Sequence, residues 1–172
     1  MPLRVLVIIF LSLYTSQIQA VEEQFVIGVG DRIMVTVYNE PDLTLRARID
    51  KSGMVNFPLL GPLSVSNKTP KQLANELEQK LLDGYMVTPL VSVLIEEYRP
   101  FYVNGEVRSP GGYPFSLELT VDQAIAIAGG LKDRASSSGW YIIRGEDKTR
   151  LEVQKDTKIL PGDIITIKAS LF

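Results

Sequence analysis

Apolar and polar residues alternate along much of the chain after residue 24, and a period of two is typical of β-strands with one buried face. Between Leu43 and Asp50 every second residue is apolar, which leaves Thr44, Arg46 and Arg48 for the solvent face. The first half is therefore predicted to contain strands over residues 25–27, 33–38, 43–49, 54–57 and 91–95, with a hairpin turn over residues 50–53.

One amphipathic helix is predicted in the first half, because leucines recur there at a spacing of four. Thr69 is a preferred N-cap residue, Pro70 suits the first turn, and Gln72 completes a capping box with Thr69. Gly84 lies where a left-handed residue can end a helix. The residues predicted to form the buried stripe are Leu73, Leu77 and Leu81, with Ala74 and Leu82 beside them.

The second half also combines short strands with a single short helix. Strand patterns cover residues 101–107, 113–115, 140–144, 149–153 and 164–167, and the turn pattern Ser-Pro-Gly-Gly covers residues 109–112. Thr120 and Gln123 form a second capping box before the apolar run 124–128. The order strand, strand, helix, strand, strand, strand is typical of a β-grasp-like domain. We therefore expect an α+β protein of two small modules, residues 21–99 and 100–172.

The first 20 residues have the layout of a secretory signal peptide. Arg4 gives a basic head, residues 5–14 are almost entirely apolar, and a polar stretch leads to Ala20. Ten helical residues rise about 15 Å, half of the roughly 30 Å that the core of a bilayer requires. We therefore expect residues 1–20 to be removed after Ala20 and the remaining chain to be exported.

The composition excludes the side chains on which most enzymes depend. The 172 residues include no Cys and no His, so thiolate nucleophiles, Cys or His zinc sites and the usual neutral-pH proton carrier are absent. A formal net charge of -2 disfavours nucleic acid as a partner. Neighbours such as Glu96 and Glu97 point to opposite faces of a strand, which does not suit the facing carboxylates of a glycosidase. We expect no catalytic residue, no metal and no cofactor.

A short internal repeat links the two halves of the chain. Residues 29–37, Val-Gly-Asp followed by an alternating strand, are matched by residues 160–167, which contain Pro-Gly-Asp before a similar strand. A Gly-Asp turn that begins a strand explains the repeat without any chemistry. We therefore assign no catalytic role to Asp31 or Asp163.

Aromatic rings and arginines are the residue types expected to bind a glycan, because rings stack on sugar faces and guanidinium groups donate to hydroxyl and carboxylate oxygens. Arg108 and Tyr113 flank the turn at 109–112, and Trp140 and Arg144 delimit a later strand. These four residues are predicted to contact a ligand, although aromatic residues within strands more often belong to a core. The further candidates are Tyr98, Arg99, Tyr102 and Tyr141.

Six short motifs follow one another along the chain, three in each half. Those of the first half are Ile-Gly-Val-Gly-Asp-Arg-Ile at 27–33, the segment 50–61 and the helix start at 69–73. Those of the second half are the segment 103–113, Ala-Ile-Ala-Gly-Gly at 126–130 and Leu-Pro-Gly-Asp at 160–163. In order and spacing they resemble the outer-membrane polysaccharide export proteins of Gram-negative bacteria. The first set is similar to the export domain of that family, and the second to its soluble-ligand-binding β-grasp (SLBB) domain.

The resemblance implies a non-enzymatic ring or tube in the periplasm, through which a capsule or exopolysaccharide chain passes outward. The implied partners are the polysaccharide, further copies of the chain, a separate outer-membrane β-barrel and an inner-membrane polysaccharide co-polymerase. The best-known members also carry a lipidated cysteine and a C-terminal pore-forming helix. This sequence has no Cys and ends soon after its second module, so we expect it not to cross the outer membrane by itself.

Two other functions remain open from the sequence. A monomeric periplasmic module that binds or senses a glycan would use the β-grasp surface without forming a conduit. A carbohydrate-active enzyme would turn over purified polysaccharide, which the composition disfavours. The expected difference between the ring and the glycan-binding module is the oligomeric state in solution.

Overall fold

The computed structural model describes residues 25–145 and 147–170, and within them the protein is α+β, as predicted. The predicted signal peptide, residues 1–20, lies outside the described residues. In chain order the elements are β1 (Arg32–Val37), β2 (Glu40–Arg48), β3 (Met54–Phe57), β4 (Gly61–Ser64), α1 (Pro70–Leu82), β5 (Val91–Glu97), β6 (Phe101–Gly105), β7 (Gly111–Tyr113), α2 (Val121–Ile127), β8 (Tyr141–Arg144), β9 (Thr149–Glu152) and β10 (Ile164–Ile167).

The first module is an antiparallel sheet covered on one face by α1. Its strand order is β2-β1-β5, and β3 and β4 form a separate two-stranded sheet. Alternate residues of β1 are buried, as the period of two requires. The core combines these residues with the leucine stripe of α1, and its members include Ile33, Val35, Val37, Leu73, Leu77 and Leu81.

Helix α1 begins and ends where its capping residues predict. The Thr69 hydroxyl accepts a hydrogen bond from the Gln72 backbone N–H at 3.1 Å, and the Gln72 side-chain oxygen accepts one from the Thr69 N–H at 2.9 Å. Gly84 follows the last turn with φ of +87°. Both helix ends are therefore set by local sequence, and the predicted capping box is confirmed.

The second module is a mixed five-stranded sheet with the strand order β7-β6-β10-β8-β9. The central strands β6 and β10 are parallel, and every other neighbouring pair is antiparallel. Helix α2 contributes Val121, Ala124 and Ile125 to a second core that also contains Phe101 and Trp140. The element order matches the β-grasp-like arrangement that the sequence predicts.

The hairpin predicted around residues 50–53 is wrong. β2 pairs with β1 instead, and β3 pairs with β4, a strand that the alternation pattern does not reveal. The sequence of β4 is Gly-Pro-Leu-Ser, and both glycine and proline are depleted in strands. The turn at 50–53 therefore connects two different sheets.

Several predicted strands have different bounds in the structure. Residues 25–27 are not in a strand, although Ile27 exchanges backbone hydrogen bonds with Asn67 and Lys68 at 2.8 Å. The return strand predicted at 113–115 is β7 at Gly111–Tyr113, and it ends before Pro114, which has no N–H to donate. In the described ranges, 25–145 and 147–170, no helix is long and apolar enough to cross a membrane.

Candidate functional site

The Gly-Asp turn of the first module surrounds a buried carboxylate. Asp31 is fully buried, and its backbone N–H donates to the Gly28 carbonyl at 3.1 Å. The Gly28 N–H in turn donates to Asp31 Oδ2 at 2.8 Å. The carboxylate thus closes its own turn immediately before β1 begins.

The second Gly-Asp turn has the same construction. Asp163 is also buried, its N–H donates to the Leu160 carbonyl at 3.1 Å, and Asp163 Oδ2 accepts from the Leu160 N–H at 2.7 Å. The sequence repeat therefore corresponds to a repeated local structure that precedes β1 in one module and β10 in the other. Asp31 and Asp163 each close their own turn, which is the structural role that the repeat predicts for them.

Each buried aspartate also binds an arginine. Asp31 accepts hydrogen bonds from the Arg99 backbone N–H at 2.6 Å and from Arg99 Nη1 at 2.8 Å. Asp163 forms a two-point pair with Arg144, from Nε at 2.9 Å and from Nη2 at 2.7 Å. Because ionised partners in fixed geometry form the stronger class of hydrogen bonds, both guanidinium groups are held in place.

Arg99 contacts the glycines of both turns. A Cβ atom added to Gly28 would lie 2.4 Å from Arg99 Nη1, and one added to Gly162 would lie 2.8 Å from Arg99 Nε. Both distances are shorter than a van der Waals contact, so a larger residue at either position would displace the Arg99 side chain. Arg99 therefore joins the Gly-Asp turn of the first module to that of the second.

Three aromatic rings pack edge to face at the same junction. The ring centroids of Phe25, Tyr98 and Phe115 are separated by 5.4 to 5.9 Å. Burial raises the pKa of the Tyr98 hydroxyl, and the Asp31 carboxylate raises it further. Tyr98 therefore remains a neutral phenol beside the charged pair.

A cavity of about 350 Å³ opens at this junction, and we call it the junction cavity. Its cationic lining comes from both modules. Arg99 is the last residue of the first module, whereas Arg144 and Lys158 belong to the second. Its apolar lining also comes from both. The principal residues are Phe25, Arg99, Arg144, Lys158, Leu160 and Pro161.

The structure does not bring the four predicted ligand contacts together. Arg144 lines the junction cavity, whereas Trp140 is buried in the second core and donates its Nε1–H to the Ser136 carbonyl at 2.8 Å. Tyr113 packs on Phe101 at a ring distance of 5.8 Å. Ligand contact by these residues stays a prediction, and Arg144 has the geometry that suits it best.

Arg108 lies elsewhere, in an exposed cleft with Lys132 and Arg134. Its backbone N–H donates to the Gly130 carbonyl, so its position depends on the loop that follows α2. Tyr113 and Arg108 are therefore held by different contacts, although both flank the turn at residues 109–112. The Tyr113 hydroxyl donates to the Ser109 carbonyl.

Lys158, Leu160 and Pro161 are cavity residues that the sequence analysis does not select. Leu160 and Pro161 belong to the internal repeat, which the sequence explains as a Gly-Asp turn before a strand. That explanation does not indicate that the two residues also line the junction cavity. The sequence does contain a signal for the cationic lining of the cavity, because Arg99 directly precedes the second module and Arg144 ends β8. The repeat alone does not show that both arginines would meet the two Asp turns.

The fold and the junction define a class of two-module proteins in which an α+β module precedes a β-grasp-like one. Residues 19–96 match the family model of the polysaccharide biosynthesis/export proteins, and residues 100–152 match that of the SLBB domain. These consecutive matches support membership of the polysaccharide export protein family, with an export domain followed by an SLBB domain.

Relatives among characterised proteins agree with this assignment. The exopolysaccharide production protein ExoF of Rhizobium meliloti (strain 1021) is 33% identical over 119 residues, which cover 62% of this chain and 28% of that protein. The EPS I polysaccharide export outer membrane protein EpsA of Ralstonia solanacearum is 22% identical over an alignment that covers 87% of this chain and 54% of that protein. The chain thus spans between about a quarter and about half of the length of these relatives.

Proposed function

We propose that this protein is a periplasmic component of an exopolysaccharide or capsule export machine and passes the polymer toward the outer membrane as part of a ring. The observation that carries the proposal is the order of an export domain and an SLBB domain in one chain. The relatives, one named for exopolysaccharide production and one for polysaccharide export, support the same role.

A non-enzymatic mechanism is part of the proposal. The sequence has neither Cys nor His, and the buried Asp31 and Asp163 are already engaged by arginines and backbone N–H groups. A carboxylate held in this way is an anchor for a cation. The proposed role of the chain is therefore to shape and line a path for the polymer.

Exposed apolar residues at one end of the first module support assembly. Tyr38, Val87 and Leu90 are 68%, 89% and 61% exposed, and the Tyr38 N–H donates to the Leu90 carbonyl at 2.9 Å. Large apolar side chains grouped on a surface commonly mark a protein contact. We call the surface formed by Tyr38, Val87 and Leu90 the apolar end, and we assign it to the contact with the next copy of the chain. In a closed ring, one side of each subunit contacts a different side of the next subunit.

The proposed setting includes two membrane partners. A separate outer-membrane β-barrel would receive the polymer, and an inner-membrane polysaccharide co-polymerase would deliver it. The relatives named as outer membrane export proteins support a position near that membrane.

The genetic test is deletion of the gene in its host. We expect surface polysaccharide to be lost while synthesis of the lipid-linked repeat unit continues, because export and synthesis would be separate steps. Surface polysaccharide is measured by antibody or lectin binding, and the lipid-linked unit by chromatography of lipid extracts. A plasmid copy of the gene is the control, and unchanged surface polysaccharide in the deletion strain would refute the proposal.

The assembly test is the mass in solution of the protein purified from the periplasm, measured by light scattering across a concentration series. We expect a discrete large oligomer, and we expect Leu90→Glu to reduce its mass because the charge disrupts the apolar end. Leu117→Glu is the matched control, since Leu117 is similarly exposed, at 56%, but lies in the second module. A monomer at every concentration would contradict self-assembly and favour the glycan-binding module.

A further inference from the structure

We propose that the junction cavity binds the carboxylate of an acidic sugar unit, so that the exported polymer is an acidic polysaccharide. The inference rests on the proposed function for the identity of the ligand as a sugar. The cavity itself carries the rest of the argument, through its charges, its free donors and its apolar wall.

The two arginines of the cavity are partly exposed, while the carboxylates that pair with them are buried. The Arg99 and Arg144 side chains are 24% and 31% exposed, whereas Asp31 and Asp163 are buried beneath them. Lys158 adds a third cation at the rim, where it pairs with the exposed Glu118. A ligand entering the cavity therefore meets guanidinium and ammonium groups first, which favours an anion.

Both arginines have donors to spare. Asp31 takes only Nη1 of the Arg99 side chain, and Asp163 takes Nε and Nη2 of Arg144. Within residues 25–145 and 147–170, neither Arg99 Nη2 nor Arg144 Nη1 donates a hydrogen bond to the protein. A planar guanidinium with free N–H groups matches the two oxygens of a carboxylate.

The buried aspartates also reduce the cost of binding. A mobile arginine loses side-chain entropy when a ligand immobilises it, which weakens binding. Here Arg99 is already fixed by Asp31 and by its contacts with Gly28 and Gly162. The site is thus organised before any ligand arrives.

The apolar wall distinguishes a sugar from a small inorganic anion. Phe25, Leu160 and Pro161 line the cavity together with the cations. The C–H face of a pyranose ring packs against such a surface, while inorganic phosphate has no apolar face to bury. At about 350 Å³ the cavity is near the small end of ligand clefts, which suits one sugar unit of a longer chain.

The test is a titration of the protein, purified from the periplasm, at low ionic strength and followed by calorimetry and NMR. The probes are a β-1,4-linked tetraglucuronate, the neutral cellotetraose of the same linkage, and inorganic phosphate. We expect the tetraglucuronate to bind about tenfold more tightly than cellotetraose, because charge-assisted hydrogen bonds replace neutral ones. The affinity is expected to fall as salt is added, since the cations are partly exposed.

Two variants locate the site. Arg144→Lys keeps a cation for Asp163 but removes the planar donor set, and we expect it to weaken tetraglucuronate binding about tenfold. Lys158→Gln removes the exposed ion pair with Glu118 together with the cation at the cavity rim, and we expect a loss of about threefold. Lys71→Gln is the control, because Lys71 is an exposed cation at the start of α1. Trp140 fluorescence checks that each variant is folded.

Three results would overturn the inference: equal binding of the acidic and neutral tetrasaccharides, unchanged binding by both cavity variants, or phosphate binding as tight as tetraglucuronate. None of them bears on the export role, which the deletion strain tests separately. Conversely, selective binding of tetraglucuronate by a protein whose deletion leaves surface polysaccharide intact would keep the site and remove the export function.

Discussion

Replacing Asp163 by alanine is expected to destabilise the second module by about 3 kcal/mol, because the change removes a buried partner from Arg144 and leaves the Leu160 N–H without an acceptor. Arg144 is itself 31% exposed, so water compensates part of the loss. The free energy of unfolding is measured in urea. Trp140, the single tryptophan of the chain, reports on the second core directly.

Glu118→Ala is the matched control for Asp163→Ala. Glu118 pairs with Lys158 at 2.9 Å, but both side chains are exposed, so the expected loss is below about 1 kcal/mol. Asp31→Ala is expected to destabilise the first module by a similar amount, because the Asp31 turn has the same pattern of hydrogen bonds as the Asp163 turn. Equal effects of Asp163→Ala and Glu118→Ala would show that the buried pair does not stabilise the module.

Gly105→Ala is expected to destabilise the second module strongly. Gly105 ends β6 with φ of +88°, and a Cβ atom there would lie 2.0 Å from the carbonyl oxygen of Ile167 on the neighbouring β10. The contact is with backbone, which cannot move without breaking the central parallel pair of the sheet. We expect a loss of about 3 kcal/mol or more in the free energy of unfolding.

Gly84→Ala separates the steric clash from backbone strain. Gly84 has nearly the same φ, +87°, but a Cβ atom there would meet nothing within 4 Å. The expected loss is therefore only the left-handed penalty, about 1 to 2 kcal/mol. Thermal unfolding followed by circular dichroism measures both variants, with Trp140 fluorescence as a second probe of the Gly105→Ala protein. A Gly105→Ala protein as stable as Gly84→Ala would contradict the close approach of β6 and β10.

The parts of the fold that depend on neighbouring residues are predictable from the sequence. The capping box of Thr69 and Gln72 spans one helical turn, and the structure confirms it. The pairing of β3 with β4 is not predictable in this way, because Gly61 and Pro62 hide the strand. The turn at 50–53 has hairpin chemistry, but the partners of its flanking strands are chosen by packing elsewhere in the module.

The candidate site shows the same division. The two Gly-Asp turns are visible as a repeat, and each turn forms through bonds between residues three apart. The arginines that complete them lie 68 and 19 residues away from their aspartates. Trp140 is a ligand candidate by residue type, and its ring lies in the second core, a position that the periodicity of one strand does not reveal.

The contact of Arg99 with both modules has a mechanical consequence. Only residues 98–100 separate β5 from β6, and three residues extend over about 10 Å at most. Since Arg99 also rests on Gly28 and Gly162, a torque applied to one module passes to the other with little relief at the hinge. An assembly of such subunits would bend at the contacts between its copies, and each copy would move as one rigid body.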